Sequence, residues 1–293
     1  METKKKKRKL STTGKVIVGV FCALLVLLVG LGVHSLVGSK KSDKGEVATE
    51  TASAEATEPS DTASLSEKYD ALYEEYHTLN SDYVGKLEFK NNLLYNYPED
   101  CEDQYGGLIV KSHIIEDGQG DVNAANAEYL RTDITKSSMD FGQEFMDGSN
   151  VLDENNLPTD QNIIIYGHFV YRDHNLKFGP LHEFEDASNY DTYDTFTLTF
   201  NHEQRTYVVT DAFFYEKDSF TGTREESPFA PNYSSEQLTA YMNKVKNEYD
   251  NSLDTGITIT DQDNFVTLQT CVENREDLLY IVLGKEIKRE TFD

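Results

Sequence analysis

From Val16 to Gly38 the chain runs for 23 residues without a formal charge, dense in Val, Leu, Ile and Gly. At about 1.5 Å of rise per residue such a helix reaches roughly 35 Å, enough to cross a hydrocarbon core about 30 Å thick. The unbroken basic run Lys4 to Lys9 precedes it, and the positive-inside rule keeps that side in the cytoplasm. The sequence therefore predicts a cytoplasmic tail over residues 1–15, a signal-anchor span over 16–38, and an extracellular remainder. A cleaved signal peptide is the rival reading. Its apolar region runs only about 7–15 residues, however, and Val33-His34-Ser35 makes a poor cleavage site. Cys22, inside the span, reads as a small apolar filler.

Residues 39–65 are Ser, Thr, Ala, Glu and Lys with almost no large apolar side chain. Such a stretch cannot bury enough surface to fold and reads as a flexible acidic linker. Residues 66–293 remain as one domain, long enough to bury a core without disulfide staples. Seven of the 27 Lys and Arg fall in the first 15 residues, leaving 20 basic against 51 acidic side chains from residue 16 onward. That balance argues against nucleic-acid binding, which needs clustered Lys and Arg on phosphates.

Tyr69, Leu72, Tyr73, Tyr76 and Leu79 recur at helical spacing behind a Ser64-x-x-Glu67 capping pattern, predicting a helix over 66–80. Leu238, Tyr241, Met242, Val245 and Tyr249 do the same behind Ser234-x-x-Gln237, predicting a second over 235–249. Between and after them lie β-branched or aromatic runs at 162–166, 195–200, 206–214, 265–270 and 279–284. Each reads as a strand, with Asn201-His202-Glu203 as a tight turn. Many short strands with few helices suggest a closed or nearly closed β-barrel, although periodicity alone does not separate barrel from sandwich.

Three cysteines, Cys22, Cys101 and Cys271, are too few and too scattered for a disulfide framework or a zinc cluster. An exported thiol invites a chemical explanation. Cys271 closes the strand-like run Val266-Thr267-Leu268-Gln269-Thr270, where a rigid element meets a loop. His168 follows the run Asn162 to Tyr166, with Gly167 between them to permit an unusual backbone turn. An imidazole beside a thiol can stabilise the thiolate or shuttle its proton, as covalent acyl transfer requires. Cys101 sits among Glu99, Asp100, Glu102 and Asp103, whose charges weaken a thiol as nucleophile. His113, His174, His182 and His202 show no metal-ligand spacing, so no metal is expected.

Tyr166-Gly167-His168 after an aliphatic strand, followed about a hundred residues on by Thr267-Leu268-Gln269-Thr270-Cys271, resembles the sortase family. Lys177-Phe178-Gly179-Pro180-Leu181 and the helix inserted before the Cys-bearing strand resemble its class B. The resemblance implies a mainly β, sortase-like barrel with an N-terminal helix. It implies a transpeptidase that needs no cofactor, with Cys271 as nucleophile, His168 as acid and base, and an arginine beside them. In the family that arginine begins the strand after the Cys loop; here Leu279 stands there and Arg275 is the nearby candidate. Leu268, Gln269 and Thr270 are the implied substrate-binding residues. The partners implied are secreted proteins with a C-terminal sorting signal and an amine from a peptidoglycan precursor or a pilin, at the outer face of a Gram-positive cell membrane. Two departures stand out: the chain has no Trp, and residues 84–101 lack the class B pattern. A catalytically weak binding module of the same fold is the alternative.

Overall fold

The computed structural model describes residues 61–95, 105–113, 128–170, 176–217, 224 and 227–292. The expected tail, membrane span and most of the linker lie outside the described residues, as do Cys22, Cys101 and His174. Among the described residues no helix is long and apolar enough to cross a membrane.

Helix α1 (Asp61–Leu79) opens the described part. It starts earlier than its spacing predicts, and Ser64 lies within it instead of capping it, because nothing in Asp61-Thr62-Ala63 breaks a helix. Tyr73 is buried and Tyr76 partly so, both against Tyr83, while Leu79 is 47% exposed at the last turn.

Nine strands follow: β1 (Tyr83–Phe89), β2 (Leu108–Lys111), β3 (Glu144–Met146), β4 (Asn162–Tyr166), β5 (Thr195–Phe200), β6 (Glu203–Glu216), β7 (Asp250–Asp254), β8 (Phe265–Val272) and β9 (Arg275–Thr291). They are ordered β5-β1-β2-β3-β4-β8-β9-β6-β7, and a β5–β6 pairing closes the first eight into a barrel with β7 appended to β6. Closure leaves those eight strands without a free edge. The turn at Asn201-His202 is as predicted, with Phe200 opposite Glu203 and His202 at φ 55°. Helix α2 (Ser235–Asn247) carries the predicted capping box in full. Ser234 accepts from the Gln237 backbone, and the Gln237 side chain accepts from the Ser234 amide.

Two apolar layers hold the barrel. Its interior is filled by Val84, Leu87, Ile163, Ile165, Leu198, Val266, Leu268 and Val282, with Phe178 and Phe184 as part of the plug. The outer face of β4, β8 and β9 carries Ile164, Tyr166, Phe265, Leu279, Ile281 and Leu283, covered by Leu238, Tyr241 and Val245 of α2 and by Phe229. Strands with both faces covered lose the polar alternation of a half-exposed strand. That is why Asn162-Ile163-Ile164-Ile165-Tyr166 reads as one unbroken buried run. β4 and β8 pair in parallel, from Asn162 opposite Phe265 to Tyr166 opposite Gln269. Their C-terminal ends therefore open at the same rim of the barrel.

Candidate active site

Both candidate reacting groups lie at that shared rim. The ladder continues past β4 through a 3.0 Å bond from the Gly167 amide to the Gln269 carbonyl. His168 and Cys271 each come two residues after the last register pair, Tyr166 opposite Gln269. Both side chains are partly buried. Gly167 serves differently from the sequence expectation. Its φ is not in the left-handed region; instead, a Cβ there would overlap the Phe178 ring. Phe178 also donates its amide to the His168 carbonyl at 3.1 Å, so one residue packs under Gly167 and ties down the histidine backbone.

Burial pushes the His168 imidazole down to about 4, with the positive charges of Arg131 and Lys177 acting in the same sense. The ring is therefore neutral near pH 7 and available as a base. Lys177 is itself fully buried and pairs at 3.2 Å with Glu144, also fully buried, on β3. An isolated antiparallel bridge joins Phe169 to Lys177. Sequence reading passed over Lys177 as part of a motif, and missed Glu144 and Arg131.

The implied substrate residues divide by face. Alternation along β8 turns Leu268 and Thr270 inward; Leu268 is part of the barrel core and both are fully buried. These two serve the scaffold. Gln269 shares the face of Cys271, is 2% exposed, and its Oε1 has no partner among the described residues.

The arginine position is occupied by an apolar side chain. Leu279 pairs directly with Cys271 across β8 and β9 and is buried. Arg275 sits in the tight β8–β9 turn opposite Val272, half exposed, and its guanidinium is held by both Asp277 oxygens at 2.9 and 2.7 Å. That pairing holds the Asp277 carboxyl at about 2.

Beside the Val272 end of the strand lies a cleft of about 310 Å³, lined among others by Phe169, Pro180, His182, Glu183, Glu185 and Glu273. Away from the rim, Asp82, His113 and Glu128 offer ligand atoms within 4.8 Å of one another. This group was not legible in the sequence, since its members are far apart in the chain. The Lys136 ammonium lies 3.1 Å from Asp82 and 3.3 Å from Glu128 and already supplies a cation there.

Known structures share this fold. The Staphylococcus aureus sortase B–substrate complex matches with a TM-score of 0.56 at 18% identity, over 78% of this chain and 95% of that one. The fold is that of sortase B. A mutant form of Clostridium perfringens sortase B gives 0.59 at 17% identity, over 78% and 92% of the two chains. A Bacillus anthracis protein described as similar to sortase B gives 0.56 at 18%, over 78% and 96%. No family model matches this chain, and no curated protein matches its sequence. At this identity the likeness establishes the sortase B-like barrel, while the chemistry has to be argued from the rim.

Proposed function

We propose that this chain is an extracytoplasmic cysteine transpeptidase, tethered to the cell membrane through residues 16–38, that transfers secreted proteins from a C-terminal sorting signal to a cell-wall or pilin amine. The observation that supports this reading is the parallel register of β4 and β8, in which His168 and Cys271 each follow the last pair, Tyr166 and Gln269, by two residues at the open ends of adjacent strands.

His168, neutral near pH 7, takes the thiol proton as Cys271 sulfur attacks the scissile carbonyl. When the C–N bond breaks, the same imidazole returns that proton to the departing amine, leaving a thioester on Cys271. An incoming amine then attacks the thioester, gives its proton to His168, and releases the thiol. One amide is exchanged for another, so no external energy source is needed. Water in place of the amine gives slow hydrolysis. Gln269, with its buried amide oxygen on the thiol's face, accepts a backbone N–H of the sorting peptide. Arg275 acts on the substrate carbonyl only by leaving Asp277, since its guanidinium is engaged there.

A second reading, a sortase-like module that binds peptide or wall material without turnover, is favoured by one observation: Leu279 occupies the place beside Cys271 where a strand arginine would stand. A thiol-reactive sorting-peptide analogue separates the two. The transpeptidase reading expects rapid, stoichiometric labelling at Cys271 that His168→Ala abolishes. Labelling no faster than that of a free thiol would leave the binding module standing.

A further inference from the structure

His182 lies in the 3-10 segment Gly179–Glu185, and its ring is stacked on Tyr280 with centroids 4.5 Å apart and has the Phe169 ring at its edge, 5.0 Å away. Its Nε2 is 3.0 Å from the main-chain oxygen of Cys271, and its Nδ1 is 2.5 Å from Oε1 of Glu185. A carbonyl and a carboxylate are both acceptors, and a neutral imidazole has one N–H to give. The ring thus joins the strand carbonyl to the Glu185 carboxylate. The place matters as well. The β8–β9 register slips between Cys271 and Val272, so the Cys271 carbonyl sits where the regular ladder breaks and its direction is not fixed by strand pairing alone. The ionisable groups that line the cleft with His182 are Glu183, Glu185 and Glu273.

We propose that His182, oriented by Glu185, is a positioning residue for Cys271: it clamps the carbonyl at the break in the reactive strand. This rests on the reading of Cys271 as the nucleophile. Fixing the peptide unit fixes the direction in which the thiol points.

The test uses the full-length protein and its His182→Ala, His182→Gln and Glu185→Gln variants. Two readouts are taken: the pH profile of Cys271 alkylation by iodoacetamide, resolved from Cys22 and Cys101 by peptide mapping, and the kcat and KM of sorting-peptide cleavage. His182→Ala is expected to lower the rate of Cys271 alkylation several-fold across the pH profile and to lower kcat about tenfold, with KM little changed. His182→Gln keeps an N–H for the same carbonyl, so it should recover much of both rates. Glu185 is half exposed, so Glu185→Gln should fold normally and show a smaller loss in both rates. A His182→Ala protein of unchanged thermal stability whose two profiles superimpose on wild type overturns the proposal. So does equal impairment and equal destabilisation of the Ala and Gln variants, which would assign the ring to packing alone. If wild type cleaves no peptide yet its thiol reactivity still depends on His182, the transpeptidase reading fails and this inference survives.

Discussion

Of the residues at the rim, His168 makes the most exposed commitment to a number. Burial holds its imidazole near 4, against an ordinary value of 6.5, so between those two pH values the unfolded chain binds more protons than the folded one. The resulting stability is present above about pH 6.5 and is lost as the pH falls toward 4, on the order of 3 kcal/mol. The same depression sets the acid limb of kcat/KM, because only neutral His168 can take the thiol proton. That limb should fall near pH 4 to 5, and a pH–rate profile with its limb at 6.5 or above would refute the assignment. Lys177 and Glu144 form the second residue-scale prediction. Both are fully buried, and removing one partner strands a charge, so Glu144→Gln should cost about 3–5 kcal/mol in urea denaturation. This pair was not legible in the sequence, because the two residues lie on different elements and each alone looks like an ordinary surface charge. The placement of Cys271 and His168 near strand ends was legible, since each follows an apolar run that folds as a strand.

Elements whose pattern matches their environment were read closely, and those whose pattern does not were missed. β4 and β5 have the predicted bounds, and α2 lacks only the last two predicted residues. Its amphipathic face lies on the outer layer of β4, β8 and β9. β8 and β9 run past their predicted ends because a hairpin continues its ladder beyond the apolar stretch, into Val272 and back from Arg275. β2 and β3, four and three residues long, are too short to show a period. β7, Asp-Asn-Ser-Leu-Asp, is a polar edge strand without strand propensity that owes its conformation to pairing with β6. Two substitutions probe this scale. Ser234→Ala removes one half of the α2 capping box and should cost about 1 kcal/mol by thermal denaturation. Gly167→Ala drives a methyl into the Phe178 ring, which should destabilise the fold by about 1–3 kcal/mol and displace His168. Its cleavage rate should fall further than its stability explains.

At the scale of the whole molecule, closure of eight strands does two things. It buries β4 and β8 on both faces, and it aligns their ends, so that His168 and Cys271, a hundred positions apart, follow the same rim of the barrel. The register of those ends could not be read from the sequence, because strand order is a property of the closed sheet. The strong acidity of the chain after residue 15 predicts that association with basic partners weakens as salt rises.

The most direct test of the central claim incubates full-length protein with a panel of sorting-motif peptides and an amine acceptor, alongside Cys271→Ala and His168→Ala, and follows the products by mass spectrometry. The account predicts a peptide–enzyme thioester on Cys271 and an amine-linked product, both absent from the Cys271→Ala reaction and reduced at least a hundredfold by His168→Ala. Folded wild-type protein that forms neither species across the panel, or product formation that persists in Cys271→Ala, would contradict it.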